Sequence, residues 1–332
     1  MHALGLDLGG TKVEAALLDD AGRTLWKHRV ATPAGDYAAT VHSVATLVAA
    51  ARQAAGGPFT IGIGTPGTAT AAGLMKNCNS TCLNGQPLQA DLQAAVGQPV
   101  VLMNDANCLA LSEATDGAGA GAAVVFAAIL GTGTGAGIAV NGQVLGGPNG
   151  LTGEWGHNPL PWADADESEQ ATHFSCYCGQ HGCIEAMVCG PALARLHGHL
   201  HGHMHGHMHG HMHGHLHAHP HPQPQGGTLD AAAIAQRAAQ GDADCRATLD
   251  QHAHRLARAL ASVINLLDPD VIVLGGGLSL MPHLYEQVPA LWRRWVFSAG
   301  TDAPVRTRLL PALHGDASGV RGAAWVGRSV PG

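Results

Sequence analysis

Ala3-Leu4-Gly5-Leu6-Asp7-Leu8-Gly9-Gly10-Thr11-Lys12-Val13-Glu14-Ala15-Ala16-Leu17-Leu18 sets the pattern on which this chain is built. An apolar run ends in a carboxylate and two glycines, and a second apolar run follows, which predicts strand, glycine turn, strand. Such a turn offers backbone N–H groups to a phosphate. Asp7 lies at its mouth, where a carboxylate either holds Mg2+, directly or through water, or is simply solvated beside an ordinary hairpin. The same plan recurs further on: apolar residues 124–130, then Gly131-Thr132-Gly133-Thr134, then apolar residues 137–140. Two such hairpins facing one cleft can grip the phosphates of one nucleotide, and the recurrence favours that reading. A third glycine turn, Gly275-Gly276-Gly277, follows an apolar strand at 271–274 and lets backbone approach a nucleoside.

Other nucleotide signatures fail. No G-x-x-x-x-G-K-[ST] string occurs, which excludes a P-loop. Gly62-Ile63-Gly64-Thr65-Pro66-Gly67 fits G-x-G-x-x-G, but Pro66 and the Thr/Ala/Gly-rich residues after it do not open a helix, the context a dinucleotide site requires. This stretch is read as a loop near the cleft.

A second organising block runs from residue 153 to 185. It begins Gly153-Glu154-Trp155-Gly156-His157 and, after a polar spacer, continues Cys176-Tyr177-Cys178-Gly179-Gln180-His181-Gly182-Cys183-Ile184-Glu185. The C-x-C-x4-C spacing with glycines in the turn brings three thiolates to one point, and His157 is the nearest donor able to close a tetrahedral zinc shell. Glu154 and Glu185 stand at the two ends. The block reads as a metal-fixed loop whose polar groups hold a substrate.

At 332 residues the chain is long enough for two domains and a sizeable core. Apolar residues make up 46% and charged residues 12%, and the net charge of −7 argues against a non-specific nucleic-acid binder. The eight cysteines show no disulfide framework, which fits a reducing cytoplasm. The strand-like start leaves no room for a signal peptide. Residues 117–153 contain no Asp, Glu, Lys or Arg, yet the glycine turn after Leu130 interrupts the apolar run, so two buried strands are expected there and no membrane span.

Between the hairpins, an Ala/Val-rich amphipathic helix is expected at 40–55 and a strand at 60–64. Residues 77–86 are polar and turn-rich, suited to a small polar ligand. A strand at 100–102 leads into Met103-Asn104-Asp105-Ala106-Asn107 and a helix through residue 114. Asp105, at a strand end beside a nucleotide cleft, can accept a hydroxyl proton during attack on a γ-phosphorus. Equally, Asn104 or Asp105 can cap the helix. Further helices are expected at 230–240 and 243–267, the latter burying one face through Leu249, Leu256, Leu260, Val263, Ile264 and Leu267 before Asp268-Pro269-Asp270 stops it.

The motifs Asp7-Leu8-Gly9-Gly10-Thr11-Lys12, Asn104-Asp105-Ala106-Asn107, Gly131-Thr132-Gly133-Thr134-Gly135, Gly153-Glu154-Trp155-Gly156-His157 and the cysteine block through Glu185 occur in that order. Over nearly its whole length the chain resembles the ROK family of bacterial sugar kinases. That resemblance implies an actin/hexokinase-like (ribonuclease H-like) α/β fold, two α/β domains around a nucleotide- and sugar-binding cleft. Residues 1–115 would form the first domain, rejoined by a C-terminal helix within 315–332, and residues 116–314 the larger second domain with the zinc loop. Family repressors carry a helix-turn-helix before the first hairpin; none is present here, which points away from a transcription factor.

Within the family, Glu154-Trp-Gly-His-Asn-Pro-Leu-Pro-Trp162, Asn79-Ser-Thr-Cys-Leu-Asn-Gly-Gln-Pro87 and His314-Gly-Asp-Ala-Ser-Gly-Val-Arg-Gly-Ala-Ala-Trp325 are most similar to bacterial fructokinases, including the manno(fructo)kinase type. The implied reaction is ATP- and Mg2+-dependent phosphorylation of a hexose 6-hydroxyl, with fructose first and mannose second. N-acetylglucosamine, N-acetylmannosamine and glucose kinases of the same family are the alternative. Carried over, the resemblance makes Asp105 the general base, and Asn79, Asn104, Asp105, Glu154, His157 and Glu185 the sugar contacts. It gives Asp7, Gly9, Gly10, Thr11, Lys12, Gly131, Thr132, Gly133 and Thr134 to the ATP phosphates and Mg2+, with Gly276 and Gly277 near the adenosine. His157, Cys176, Cys178 and Cys183 would bind a structural Zn2+, and a homodimer is expected. Cys82 stands where fructokinase-like members carry an aromatic residue, which bears on the choice of hexose.

Thirteen of the 23 histidines alternate through residues 197–221. The segment has no core-forming period and reads as a disordered surface insertion over 197–225. It is either a tolerated expansion without a role or a low-selectivity reservoir for Zn2+, Ni2+ or Cu2+. A metal-binding or sensing protein is the cross-class alternative; Asp105, both glycine turns, Glu154 and Glu185 count against it.

Overall fold

The computed structural model describes residues 1–201 and 229–328. Residues 202–228, which hold most of the histidine-rich run, lie outside the described residues, and so does the reading of that stretch as a disordered loop. Its first residues, 197–201, are helical.

In chain order the strands and helices are β1 (His2–Leu8), β2 (Lys12–Leu18), β3 (Thr24–Ala31), α1 (Tyr37–Ala55), β4 (Phe59–Thr65), β5 (Thr68–Ala69), β6 (Met75–Lys76), α2 (Leu88–Val96), β7 (Val101–Asn104) and α3 (Asp105–Asp116). They continue with β8 (Val124–Leu130), β9 (Thr134–Val140), β10 (Gln143–Val144), α4 (Ala165–His173), α5 (Ile184–Val188), α6 (Gly190–His201), α7 (Ala231–Ala239) and α8 (Ala243–Leu267). The last are β11 (Val271–Gly275), α9 (His283–Trp292), β12 (Arg308–Pro311) and α10 (Ser318–Gly327). Two five-stranded sheets result, ordered β3-β2-β1-β4-β7 and β10-β9-β8-β11-β12. The described chain forms two compact units. One takes residues 1–127, 136–153 and the described part of 312–332; the other takes 128–135 and the described part of 154–311.

In the first unit, β1 and β2 form the predicted hairpin, with Leu8 opposite Val13 and Asp7 opposite Glu14. β1 pairs in parallel with β4, and β4 with β7. The period of two in a strand divides β1 cleanly. Leu4, Leu6 and Leu8 join Val44, Leu47 and Val48 of α1 and Leu88 and Leu92 of α2 in one core. The opposite face carries Ala3, Gly5 and Asp7, and α10 lies on it. A Cβ on Gly5 would sit 1.9 Å from Val320 O, and one on Gly62 of β4 1.9 Å from Ala323 O. Only glycine at these two positions lets the helix backbone come so close.

In the second unit α8 is the longest helix. Its start is capped by Asp242, whose side chain accepts from Cys245 N, and it ends in left-handed Asp268 before Pro269. Leu249, Leu256, Leu260, Val263 and Ile264 are buried as expected, and Leu267 is half-buried. The apolar-face description is incomplete, however. Arg255 and Arg258 are also fully buried and converge on Glu167 of α4, with Arg255 Nε 3.0 Å from Glu167 Oε1 and Arg255 Nη2 2.7 Å from Gln170 Oε1. α4 occupies the spacer that composition showed only as polar. An Asp164–Glu167 capping box starts it. This buried charge cluster fastens the spacer to α8, directly ahead of the cysteine block; removing one partner of such a pair costs about 3–5 kcal/mol.

Candidate active site

The first unit gathers one set of the predicted residues. The turn after β1 is closed by Gly9 N donating to Lys12 O at 3.0 Å, and Thr32 Oγ1 donates to Gly9 O at 2.7 Å. A Cβ on Gly10 would stand 3.5 Å from Ser80 Oγ, so this turn adjoins the polar 77–86 segment, where Asn79 is exposed and Cys82 is half-buried. Asp7 projects from the α10 face of β1. A Cβ on Gly319, in the first turn of α10, would lie 3.0 Å from its Oδ2. Burial and the charge of Glu14, partly offset by Lys12, push the Asp7 carboxyl up to about 6. A half-buried carboxylate destabilised in its ionised form is suited to a cation, so Asp7 fits the Mg2+ role on chemistry.

β7 delivers Asn104 and Asp105 to the start of α3. Asn104 is the cap: its Oδ1 accepts from Ala106 N at 3.0 Å and Asn107 N at 3.3 Å. The cap role left open between the two residues thus falls to Asn104. Asp105 is the first helical residue and half-buried, and its Oδ1 accepts from Ala106 N at 2.8 Å. Asn104 Nδ2 donates to Gly67 O at 3.4 Å, which brings the 62–67 loop beside it. Burial holds the Cys108 thiol well above its ordinary range, and the Asp7 and Asp105 charges, which both reach it, add to the shift. Asp7, Asp105 and Asn104 therefore share one region.

The second unit gathers the candidate metal ligands. His157, Cys176, Cys178 and Cys183 place their four donor atoms within 4.8 Å of one another. Cys178 and Cys183 sulfurs are 3.6 Å apart, and Cys176 Sγ is 3.4 Å from His157 Nδ1. A tetrahedron around zinc with bonds of about 2.1–2.3 Å has edges of about 3.5–3.8 Å, so donor set and spacing fit Zn2+. Burial raises the Cys176 and Cys183 thiols, Cys183 to about 11, a cost that a cation at their centre would reverse by holding thiolates. The turn is shaped by backbone: Cys176 N donates to Gln180 O at 2.8 Å, Leu160 N to Gly182 O at 3.0 Å.

His157 joins this block to polar groups outside it. With Nδ1 toward the sulfurs, its Nε2 lies 3.0 Å from the Tyr177 hydroxyl and 3.8 Å from Glu154 Oε2. Burial raises the Glu154 carboxyl, with His157 opposing and Glu185 adding to the shift. Glu185, buried at the head of α5, accepts from Thr134 N at 2.8 Å through Oε2 and lies 3.7 Å from Cys176 Sγ through Oε1. The turn of Gly131, Thr132, Gly133 and Thr134 is thereby tied to the cysteine block. Gly190 N donates to Gly131 O at 2.8 Å, and a Cβ on Gly276 would stand 2.5 Å from Leu130 O, so the 131–134 and 275–277 turns are neighbours. Tyr177, Gly190 and the Glu167 cluster escaped the sequence reading. Tyr177 had a signal, its place between two candidate ligand cysteines, and Glu167 had one in the Asp164-x-x-Glu167 capping-box spacing; Gly190 had none.

The architecture is the actin/hexokinase-like α/β fold, and comparison with known proteins narrows it. The ROK family model matches residues 3–329. The N-acetyl-D-glucosamine kinase of Escherichia coli O139:H28 is 37% identical over 326 residues, covering 97% of this chain and 98% of the relative. Among solved structures, the ROK hexokinase from Thermus thermophilus superposes with a TM-score of 0.77 at 31% identity, covering 98% of this chain and 97% of that one. A ROK family glucokinase from Streptomyces griseus, solved with glucose and AMPPNP, gives a TM-score of 0.74 at 27% identity over 99% of this chain and 100% of that one. The chain belongs to the ROK family, and these relatives within it are sugar kinases. None of the three is named a fructokinase. No helix among the described residues is long and apolar enough to cross a membrane.

Proposed function

We propose that this protein is an ATP- and Mg2+-dependent N-acetyl-D-glucosamine kinase that phosphorylates the sugar 6-hydroxyl. The observation that carries the substrate is the 37% identity to an N-acetyl-D-glucosamine kinase across 97% of the chain. N-acetylglucosamine is preferred over fructose, which rested on three short strings, and over mannose with it.

In this reading Asp105 accepts the proton of the 6-hydroxyl as that oxygen attacks the γ-phosphorus of ATP. Asn104 supports the assignment by capping α3 and so holding the strand-to-helix turn that presents Asp105. The N–H groups of residues 9–12 and 131–134 bind phosphate oxygens, and Gly276 and Gly277 leave space for the nucleoside. Asp7 holds Mg2+, which neutralises phosphate charge when bound. Glu154, Glu185, His157, Asn79 and Asn104 recognise the sugar. A metal on His157 Nδ1 fixes Nε2 as an N–H donor, so the zinc set orients a sugar contact without taking part in the transfer. ADP release should be measured on N-acetylglucosamine, N-acetylmannosamine, glucose, mannose and fructose. The proposal expects N-acetylglucosamine to lead in kcat/KM; glucose or fructose in the lead would refute the substrate assignment and leave the kinase class standing.

A further inference from the structure

The described end of the histidine-rich run forms the last turns of α6, which packs along α8. His197 and His201, one turn apart, have ring centres 5.0 Å from each other. Each presents Nδ1 to an oxygen on α8: His197 Nδ1 is 2.9 Å from Thr248 Oγ1, and His201 Nδ1 is 3.5 Å from Asp244 Oδ1. The Thr248 hydroxyl gives its single hydrogen to the Asp244 carbonyl at 2.9 Å, so toward His197 it can only accept. His197 Nδ1 therefore carries the proton and Nε2 the lone pair. In His201 the Asp244 carboxylate faces Nδ1 at 3.5 Å, and Nε2 is buried with no hydrogen-bond partner among the described residues.

We propose that His197 and His201 form a second metal site, separate from the Cys3His centre, in which their two Nε2 atoms chelate a divalent ion of the Zn2+, Ni2+ or Cu2+ class. Thr248 is a positioning residue that fixes the His197 tautomer, as oxygen partners of metal-bound histidines do. Histidines four residues apart share one helix face. Two imidazoles on a tetrahedral ion with metal–nitrogen bonds of about 2.1 Å have ring centres about 5 Å apart, the spacing found here. Neutral imidazole selects these ions over Mg2+ and Ca2+, which prefer oxygen. Water completes the shell. The histidines further along the run carry affinity by number; in this pair the fold sets the geometry.

The test is calorimetric titration of full-length, zinc-loaded protein with Ni2+, comparing the parent with His197→Gln/His201→Gln and with Thr248→Val. The parent is expected to bind one equivalent distinctly more tightly than the rest. The double variant should lose that equivalent and keep the weaker phase, and Thr248→Val should weaken it about tenfold or more. A double variant whose isotherm overlays the parent through the first equivalent overturns the site, leaving only adventitious binding along the run. An unchanged Thr248→Val overturns the positioning role. Should a variant fail to fold, hydrogen exchange of the parent with and without one equivalent of Ni2+ decides: slowed exchange at residues 197–201 is expected, and none refutes the site.

Discussion

Thr134 donates its backbone N–H to Glu185 Oε2 at 2.8 Å, so the second glycine turn is tied to the carboxylate that closes the cysteine block. The adjacent Gly133 has no room for a side chain, because a Cβ there would lie 2.6 Å from the same oxygen. In the proposed kinase this contact links phosphate binding to sugar binding through one carboxylate.

Gly133→Ala should therefore displace Glu185 while leaving the metal ligands in place. Turnover is expected to fall about tenfold or more, since catalysis tolerates little misplacement. Metal content, measured alongside, should not change. Undiminished kcat and KM would mean the carboxylate position is unimportant.

Cys183→Ser removes one of four donors from a set whose spacing fits Zn2+. Cobalt-substituted parent protein should show thiolate-to-cobalt charge-transfer absorption, weakened in the variant, and the variant should melt earlier. Equal spectra and equal Tm would show that these thiols hold no metal.

His252 is fully buried on α8, its Nε2 donating to Val188 O at 2.8 Å, and burial drives it down to about 4. A histidine depressed below its unfolded value of about 6.5 stabilises the fold fully above that pH, and the contribution is lost as pH falls through 6.5 toward 4. The loss is about 3 kcal/mol. Denaturant unfolding of parent and His252→Gln between pH 7.5 and pH 4.5 should show a shallower acid loss in the variant. Parallel curves would contradict the assignment.

Much of this was legible in the sequence because it is written in local spacing. The strand–glycine–strand plan predicted β1/β2 and β8/β9, and the long amphipathic helix falls at 243–267 as read. The cysteine spacing and His157 likewise marked a cluster that the structure assembles. What escaped is held by distant polar partners. Residues 165–173 carry no apolar stripe, so α4 had no helical period and only its Asp164-x-x-Glu167 capping box to announce it. Its buried face is Glu167 and Gln170, and the arginines that satisfy Glu167 lie 88 and 91 residues away. Single charged residues read as solvated until the fold brings their partners. Substrate choice was not legible in the same way: three short strings pointed to fructose, whereas the identity that favours N-acetylglucosamine is spread over 326 residues.

Gly322 lets α10 pass α3 closely; a Cβ there would sit 1.8 Å from Cys108 O. Since backbone cannot move aside cheaply, Gly322→Ala should destabilise by about 3 kcal/mol. Thermal and urea unfolding read this directly, and a variant as stable as the parent would show that the two helices separate without cost.

The most direct test of the central claim is ATP-dependent phosphorylation of N-acetylglucosamine by the zinc-loaded parent and by Asp105→Asn. The account predicts N-acetylglucosamine 6-phosphate from the parent and a fall in kcat of about a hundredfold or more in the variant, the range a general base supplies. Equal rates from the two proteins, or no phosphoryl transfer to any hexose from folded parent, would contradict it.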